Sequence, residues 1–156
     1  MDAVDHTADD AVAVARAHAE AEAAGDLATT LGTLDDDPIY ELQPVGRVLQ
    51  GKDAVRRYYE HFFAHFNPLV EGFALRGEWV VPEGLGQEYT VWVRHPHGGL
   101  ERHDVIGILL FGTSGLAGER VYASEPLLRL MLGPVYDETT PLAGTSTGQP
   151  DQGKGG

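Results

Sequence analysis

The sequence contains no cysteine, and this absence removes several kinds of chemistry at once. Disulfide bonds, thiolate nucleophiles and thiolate metal sites are all excluded for this chain of 156 residues. Basic residues are also scarce, with 11 lysines and arginines against 24 aspartates and glutamates, for a formal net charge of −13. Because contacts to phosphates need clustered positive charge, we expect no nucleic-acid partner.

Long apolar runs are missing as well. No segment approaches the roughly 18 consecutive apolar residues of a membrane helix, so we expect no membrane partner. The start, MDAVDHTADDAVAV, has neither the basic end nor the apolar core of a signal peptide, which predicts a cytoplasmic protein. With 42% hydrophobic residues, the composition is that of one globular domain with its own core.

The first half of the chain has the pattern of helices. An alanine-rich helix is expected to end at Gly25, and Asp26 is placed to cap a short second helix. An acidic turn, a strand over 39–43 and a loop over 44–51 follow. Residues 54–66 then predict an amphipathic helix, because their apolar side chains recur three and four positions apart.

The second half changes to a period of two after Asn67-Pro68, which is typical of strands. We predict strands over 69–81, 87–95, 102–111 and 116–124, then a short helix over 126–133. Because the strands are consecutive rather than alternating with helices, their order indicates an α+β fold with an antiparallel sheet. The domain is predicted to span 9–133, with flexible ends at 1–8 and 134–156.

Several motifs in this order resemble a known superfamily. They are "AGDL" (24–27), "LDDDPIYELQPVG" (34–46), "GKDAVRRYYEHF" (51–62) and "GERVYASEPLLR" (118–129). Together they are similar to the nuclear-transport-factor-2-like superfamily, in its SnoaL-like and ketosteroid-isomerase-like branch. The resemblance implies a cone, in which a curved antiparallel sheet wraps about three N-terminal helices, with a short C-terminal helix, an apolar pocket and pairing into homodimers. It does not by itself fix a reaction.

The resemblance also indicates candidate pocket residues. His18 falls where ketosteroid isomerase has a pocket tyrosine, and a histidine there could donate a hydrogen bond or relay a proton. The isomerase's base falls on Leu42 or Gln43, and its second oxyanion donor falls on Ile106, so steroid-isomerase chemistry is not expected. The last aspartate of the limonene epoxide hydrolase branch falls on Val121, which argues against that activity as well.

A charged run enters an apolar strand directly in "ERHDVIGILLF". Asp104 resembles the late-strand aspartate that SnoaL-like cyclases use as general acid and base. Period-two geometry puts Asp104 on one face with Ile106 and Ile108, where an apolar pocket would raise the pKa of the carboxyl. The alternative is an aspartate at the strand mouth, ion-paired with Arg102 or Arg94. Because both faces of this strand are apolar, one is expected to meet the helices and the other a second subunit.

Other side chains complete the predicted lining. Tyr40 and Tyr122 are hydroxyl donors whose alternative role is packing, and Trp92 would lie on the dimer face if not in the pocket. The residues expected to bind substrate are Trp92, Tyr122, Tyr58, Phe62 and Ile106.

Histidines suggest a metal at two places, and we predict none. His61 and His65 lie one helical turn apart, but the glutamate of the zinc peptidase signature is absent after the first. His95, His97 and His103 surround a Pro-Gly-Gly turn, which an edge loop explains. We likewise expect no cofactor.

The sequence therefore predicts a SnoaL-like homodimer that binds a hydrophobic, oxygen-bearing small molecule. The expected activity is cofactor-independent acid/base chemistry, such as cyclisation, isomerisation or hydration in polyketide or other secondary metabolism. Asp104 would transfer the proton, while His18 and Tyr40 would orient the substrate. The alternative is a non-catalytic ligand-binding module, or a dimerisation or accessory module, of the same fold. Convergence of these three side chains would favour the enzyme.

Overall fold

The computed structural model describes residues 6–143, which form four helices and one seven-stranded sheet. The helices are α1 (His6–Ala24), α2 (Leu27–Gly32), α3 (Lys52–His61) and α4 (Glu125–Leu132). The strands are β1 (Leu34–Gln43), β2 (Arg47–Gln50), β3 (Val70–Val81), β4 (Gly84–Arg94), β5 (Leu100–Phe111), β6 (Leu116–Tyr122) and β7 (Thr140–Pro141). The predicted α+β class is confirmed. Among these residues, no helix combines the length and the apolarity of a membrane span.

The sheet has the strand order β3-β4-β5-β6-β1-β2-β7. All neighbours are antiparallel except β1 and β6, which are parallel. Register shifts interrupt the β3–β4 and β5–β6 ladders. Such irregularities bend strands and increase their twist, and the unclosed sheet curves around the helices. The concave face therefore holds the core, and the convex face is the outer surface.

The long helical segment after Gly51 supplies the aromatic part of the core. Helix α3 continues into a π-helical turn (Phe62–Phe66) and a 3-10 turn (Asn67–Leu69). The aromatic residues of this segment, Tyr58, Tyr59, Phe62, Phe63 and Phe66, contact one another ring to ring. The predicted amphipathic helix is confirmed, with a change of helical type in its last turn.

The connection from α1 to β1 follows the sequence prediction only in part. Gly25 ends α1 with a φ of 71°, a left-handed conformation that glycine adopts without strain. Asp26 then caps α2 by accepting the Thr29 N–H at 3.1 Å. The expected acidic turn is instead part of β1, where the Asp35 side chain accepts backbone N–H groups of the distant loop 113–115. The predicted loop over 44–51 contains β2.

Regular structure continues beyond residue 133, the predicted end of the domain. A 3-10 turn (Gly133–Glu138) buries Val135 and Tyr136, and β7 pairs with β2. Arg47 donates to the Thr139 hydroxyl and carbonyl oxygens, both at 2.6 Å. At the other end, α1 already begins at His6. The flexibility predicted for 1–5 and 144–156 lies outside the described residues.

Candidate active site

A cavity of about 230 Å³ lies between the concave face of the sheet and the helices. Most of its wall is apolar, with Phe62, Phe66, Val70, Phe73, Val91, Val105, Leu109, Leu127 and Met131. The polar side chains are His18, Glu22, Asn67, Gln87, Tyr89 and Glu119. None of the residues lining it is a lysine or arginine. A few polar groups in an apolar cavity are typical of small-molecule sites.

Helix α1 contributes the imidazole of this site. His18 is fully buried, and its Nδ1 lies 2.7 Å from the Thr33 hydroxyl oxygen. Because that hydroxyl donates its own proton to the Thr30 carbonyl at 2.7 Å, the histidine Nδ1–H is the donor in the first contact. In the neutral ring Nε2 is then left with a lone pair. Glu22, one helical turn later, has its Oε2 3.5 Å from this Nε2.

The Tyr59 hydroxyl of α3 connects the imidazole to its neighbours. It lies 3.0 Å from His18 Nε2, and it donates to Glu22 Oε2 at 3.1 Å. The Tyr40 hydroxyl lies 2.6 Å from it. Burial, with nearby glutamates adding to it, raises the pKa of both Tyr40 and Tyr59 well above the ordinary value. Both hydroxyls therefore stay protonated as hydrogen-bond donors.

Strand β6 contributes a buried acid. Glu119 is 9% exposed, and no hydrogen bond to its side chain occurs within residues 6–143. Gly107 on the neighbouring strand makes room for it, since a Cβ there would lie 2.8 Å from Glu119 Oε1. Burial first, and the charge of Glu22 second, raise the pKa of Glu119 well above its ordinary value. The raised pKa favours the neutral carboxylic acid form of Glu119, which faces the cavity.

Three titratable groups thus converge on one point of the cavity wall. His18, Glu22 and Glu119 each have a nitrogen or oxygen atom within 4.8 Å of the others. The same set has the spacing of metal ligands, but the raised pKa of Glu119 disfavours the deprotonated carboxylate that a metal ion needs. We therefore interpret it as an acid/base group, in which a neutral acid stands beside a carboxylate and an imidazole.

Four of the predicted residues lie in or beside this site. His18 and Phe62 line the cavity. Tyr40 is buried one hydrogen bond behind it, through Tyr59. Tyr58 belongs to the core and packs edge-on against Tyr40, with 5.9 Å between the ring centroids. The expected meeting of His18 with Tyr40 is present, although Tyr59 mediates it.

Asp104 does not join them, so the convergence of three side chains that would have favoured the enzyme is absent, and the expected orientation of Asp104 must be corrected. Its side chain is 59% exposed on the outer face, where it accepts hydrogen bonds from Thr90 at 2.6 Å and from Arg102 at 3.1 Å. The Thr90 hydrogen bond is the main cause that lowers the pKa of Asp104. The cavity is lined instead by Val105 and its inward neighbours on β5. The alternative prediction, an ion pair with Arg102, describes this carboxylate.

Three expected substrate-binding residues also lie on the outer face. Ile106 and Tyr122 are paired across the β5–β6 ladder and are 37% and 41% exposed. Trp92 packs over Gly72, where a Cβ would come within 3.0 Å of its ring. Because strand side chains alternate between faces, all three point away from the cavity. The dimer face that was the alternative for Trp92 fits this position.

Sequence reasoning missed Glu22, Tyr59 and Glu119. Glu22 could have been found from its spacing of four residues after His18 on an alanine-rich helix. Glu119 had a weaker signal in Gly107, because a glycine inside a strand often marks the close approach of another group.

The fold and the site define an α+β cone whose apolar cavity contains an acid/base group. The model of the SnoaL-like domain family matches residues 15–106, more than half of the chain, and the chain belongs to this family. The predicted resemblance is thereby confirmed. No curated protein matches the chain significantly.

Solved structures show the same fold. An NTF2-like protein of unknown function from Burkholderia xenovorans is 23% identical, with 72% of this chain and 81% of that one covered and a TM-score of 0.54. One from Cytophaga hutchinsonii is 12% identical, with 72% and 97% covered and a TM-score of 0.60. A Mesorhizobium loti protein, provisionally named a SnoaL-like polyketide cyclase, is 20% identical, with 71% and 97% covered and a TM-score of 0.55. Likeness at these identities establishes the fold alone.

Proposed function

We propose that the protein binds a small apolar molecule with an oxygen function and transfers a proton on it without a cofactor. The reaction classes are isomerisation, cyclisation and hydration. The observation that carries this proposal is the buried Glu119, whose pKa is raised, in an apolar cavity within 4.8 Å of Glu22 and His18. The similarity to a fold relative named as a polyketide cyclase is in keeping with this class of chemistry.

The geometry suggests a role for each group. Glu119 would donate its proton to the substrate oxygen as a bond to carbon breaks or shifts. His18 Nε2 would accept a proton from carbon or from an attacking water, because its Nδ1–H is held by Thr33. Glu22 would stabilise the imidazolium that forms 3.5 Å away. Return of that proton from His18 to Glu119 restores both groups, so the cycle needs no external acid.

The proposal can be tested with three probe compounds, namely a β,γ-unsaturated ketone, a terpene epoxide and an aromatic polyketide ester. Conversion of each is followed by mass spectrometry with the wild type, Glu119→Gln and Asp104→Asn. We expect Glu119→Gln to lose a factor of about 10² to 10⁴ in rate, the usual contribution of a general acid. Asp104→Asn is the matched control, because it changes a carboxylate on the outer face.

Two outcomes would count against the acid role. Equal rates for the wild type and Glu119→Gln would contradict the assignment of Glu119. Binding of a probe by the wild type, measured by NMR, without conversion of any probe would favour the non-catalytic ligand-binding alternative.

We also propose that two copies pair through the outer face of the sheet. Trp79, Ile106 and Tyr122 are large apolar side chains on this face that the single chain leaves 37% to 41% exposed. Ile106 and Tyr122 lie on strands whose other face is packed against helix α1. Pairing would remove this apolar surface from water, which is favourable at roughly 25 cal/mol for each Å² buried.

A further inference from the structure

A second group of titratable side chains lies at the end of the β4–β5 hairpin. His95 follows β4, and Glu101 and His103 belong to β5, where they share a face with the cavity residue Val105. The sequence separates His95 from His103 by a Pro-Gly-Gly turn. The hairpin folds them back so that one donor atom of each of the three side chains lies within 4.8 Å of the others.

The two imidazoles of this group have unsatisfied nitrogen atoms. Nε2 of His95 and Nε2 of His103 are both buried, and neither has a hydrogen-bond partner within the described residues. Glu101 Oε2 lies 2.9 Å from the first and 3.6 Å from the second, yet neither contact has hydrogen-bond geometry. A buried polar atom without a partner costs free energy, so this arrangement needs a ligand to explain it.

The spacing of these atoms matches a shared metal ion. Zinc binds imidazole nitrogen and carboxylate oxygen at roughly 2.0 to 2.2 Å, so two ligands of a tetrahedral ion lie about 3.4 Å apart. The two distances from Glu101 Oε2, 2.9 and 3.6 Å, fall on either side of this value. Two histidines and one glutamate are also a known zinc ligand set, which leaves the fourth position open.

The positively charged side chains near the hairpin pair with other residues, so the group of His95, Glu101 and His103 has room for a cation. The nearby arginines are already paired, Arg94 with Glu71 and Arg102 with Asp104. Among the described residues Glu101 has ion-pair contacts only with the two histidines. Its side chain is 61% exposed, so an ion can reach the group from solvent without entering the cavity.

We propose that His95, Glu101 and His103 bind one divalent transition-metal ion, with Zn²⁺ as the representative. The ion cross-links the two sides of the hairpin at its end and keeps one coordination position open. His97 is exposed and does not belong to the group. The site is separate from the acid/base group, because His103 lies about 20 Å along β5 from Leu109, the residue paired with Glu119.

The proposal is tested with tag-free protein that has been treated with a chelator and then titrated with ZnCl₂ in a calorimeter. We expect one ion per chain, with a dissociation constant in the micromolar range or below. His95→Gln, Glu101→Gln and His103→Gln should each weaken binding by at least about tenfold, since even the loss of a group that only hydrogen-bonds to a metal ligand costs that much. His97→Gln is the matched hairpin control and should bind Zn²⁺ like the wild type.

NMR of the histidine ring nitrogens needs only the wild type, so its result does not depend on whether the variants fold. In the wild type, Zn²⁺ must shift the ring signals of His95 and His103 and leave those of His18 unchanged. The proposal is overturned if millimolar Zn²⁺ does not bind. It is equally overturned if the three variants bind like the wild type, or if the shifted signals belong to His61 and His65 or to His18.

Discussion

Glu22 and Glu119 place their carboxyl groups within 4.8 Å of each other in a cavity that no lysine or arginine lines. Two carboxylates so close in an apolar place cannot both ionise at low cost, because each raises the free energy of the other's charged form. Burial raises the pKa of Glu119, whose side chain is the more enclosed of the two, and so favours its protonated form. The cavity therefore keeps a proton donor to higher pH than an ordinary glutamate would, and the proposed chemistry follows from that.

The raised pKa of Glu119 leads to a prediction of how the free energy of unfolding depends on pH. The pKa of Glu119 is raised in the folded state above its ordinary value of 4.5. Between that value and the folded pKa the folded chain binds more protons than the unfolded chain, so the free energy of unfolding falls as pH rises. Glu119→Gln removes this contribution. We expect its melting temperature, measured from pH 4 to pH 9, to fall less with rising pH than that of the wild type.

Glu88→Gln is the control for this experiment, because Glu88 is an exposed glutamate on the outer face. It should follow the wild-type pH profile. If the profile of Glu119→Gln coincides with that of the wild type, Glu119 is not held neutral by the fold.

We predict that Gly107→Ala lowers the activity without unfolding the protein. A Cβ at this position would lie 2.8 Å from Glu119 Oε1, so the carboxyl, the free end of a flexible side chain, must move. Misplacement by about 1 Å can cost up to about 10²-fold in rate, and we expect a loss of at least about tenfold in turnover of the probe compounds. The melting temperature should change by only a few degrees.

Gly77→Ala is the matched control in the sheet, since its nearest contact would be Glu88 Oε2 at 4.0 Å. Both variants are compared in turnover and in thermal melts. Equal turnover for the two variants would contradict the view that Gly107 sets the position of Glu119.

Tyr59→Phe tests the hydrogen-bond chain behind the cavity. The substitution leaves the Tyr40 hydroxyl without the acceptor that lies 2.6 Å from it, and it leaves Glu22 Oε2 without its donor at 3.1 Å. Leaving such buried groups unpaired costs about 1–3 kcal/mol, and we expect the free energy of unfolding in urea to fall by that amount. Tyr58→Phe is the control, because the Tyr58 hydroxyl has no hydrogen bond within residues 6–143, and its effect should be smaller. Equal losses would mean that ring packing, not hydrogen bonding, is being measured.

The order of the elements could be predicted because each long element has a clear period. The change from a period of three and four to a period of two falls at Asn67, where the helical segment does give way to β3. The short strands could not be predicted, since the four residues of β2 and the two of β7 show too little of a period. Strand β7 also pairs with β2, which lies far away in the sequence.

The site could be predicted only in part, and β5 shows why. Both of its faces are apolar, so periodicity tells which residues share a face with Asp104 but not which face lies inside. The curvature of the sheet decides this, and it turns Val105 inward. Glu119 was missed for a related reason, because beside Arg120 it has the pattern of a charged pair at a strand edge. His18 was found because the family resemblance supplied its register.

The outer face of the sheet supports a last prediction, on the oligomeric state. Ile106→Arg places a charge in the centre of the face that we propose to pair, next to Tyr122. Since Ile106 is already 37% exposed in the single chain, the fold should tolerate the change. We expect the wild type to have about twice the chain mass of 16.8 kDa by light scattering, and Ile106→Arg to have the mass of one chain.

Leu75→Arg is the control, because Leu75 is 50% exposed but pairs with the cavity residue Tyr89 and so lies on the other face. A monomeric wild type, or a dimer that survives Ile106→Arg and dissociates with Leu75→Arg, would contradict pairing through the outer face.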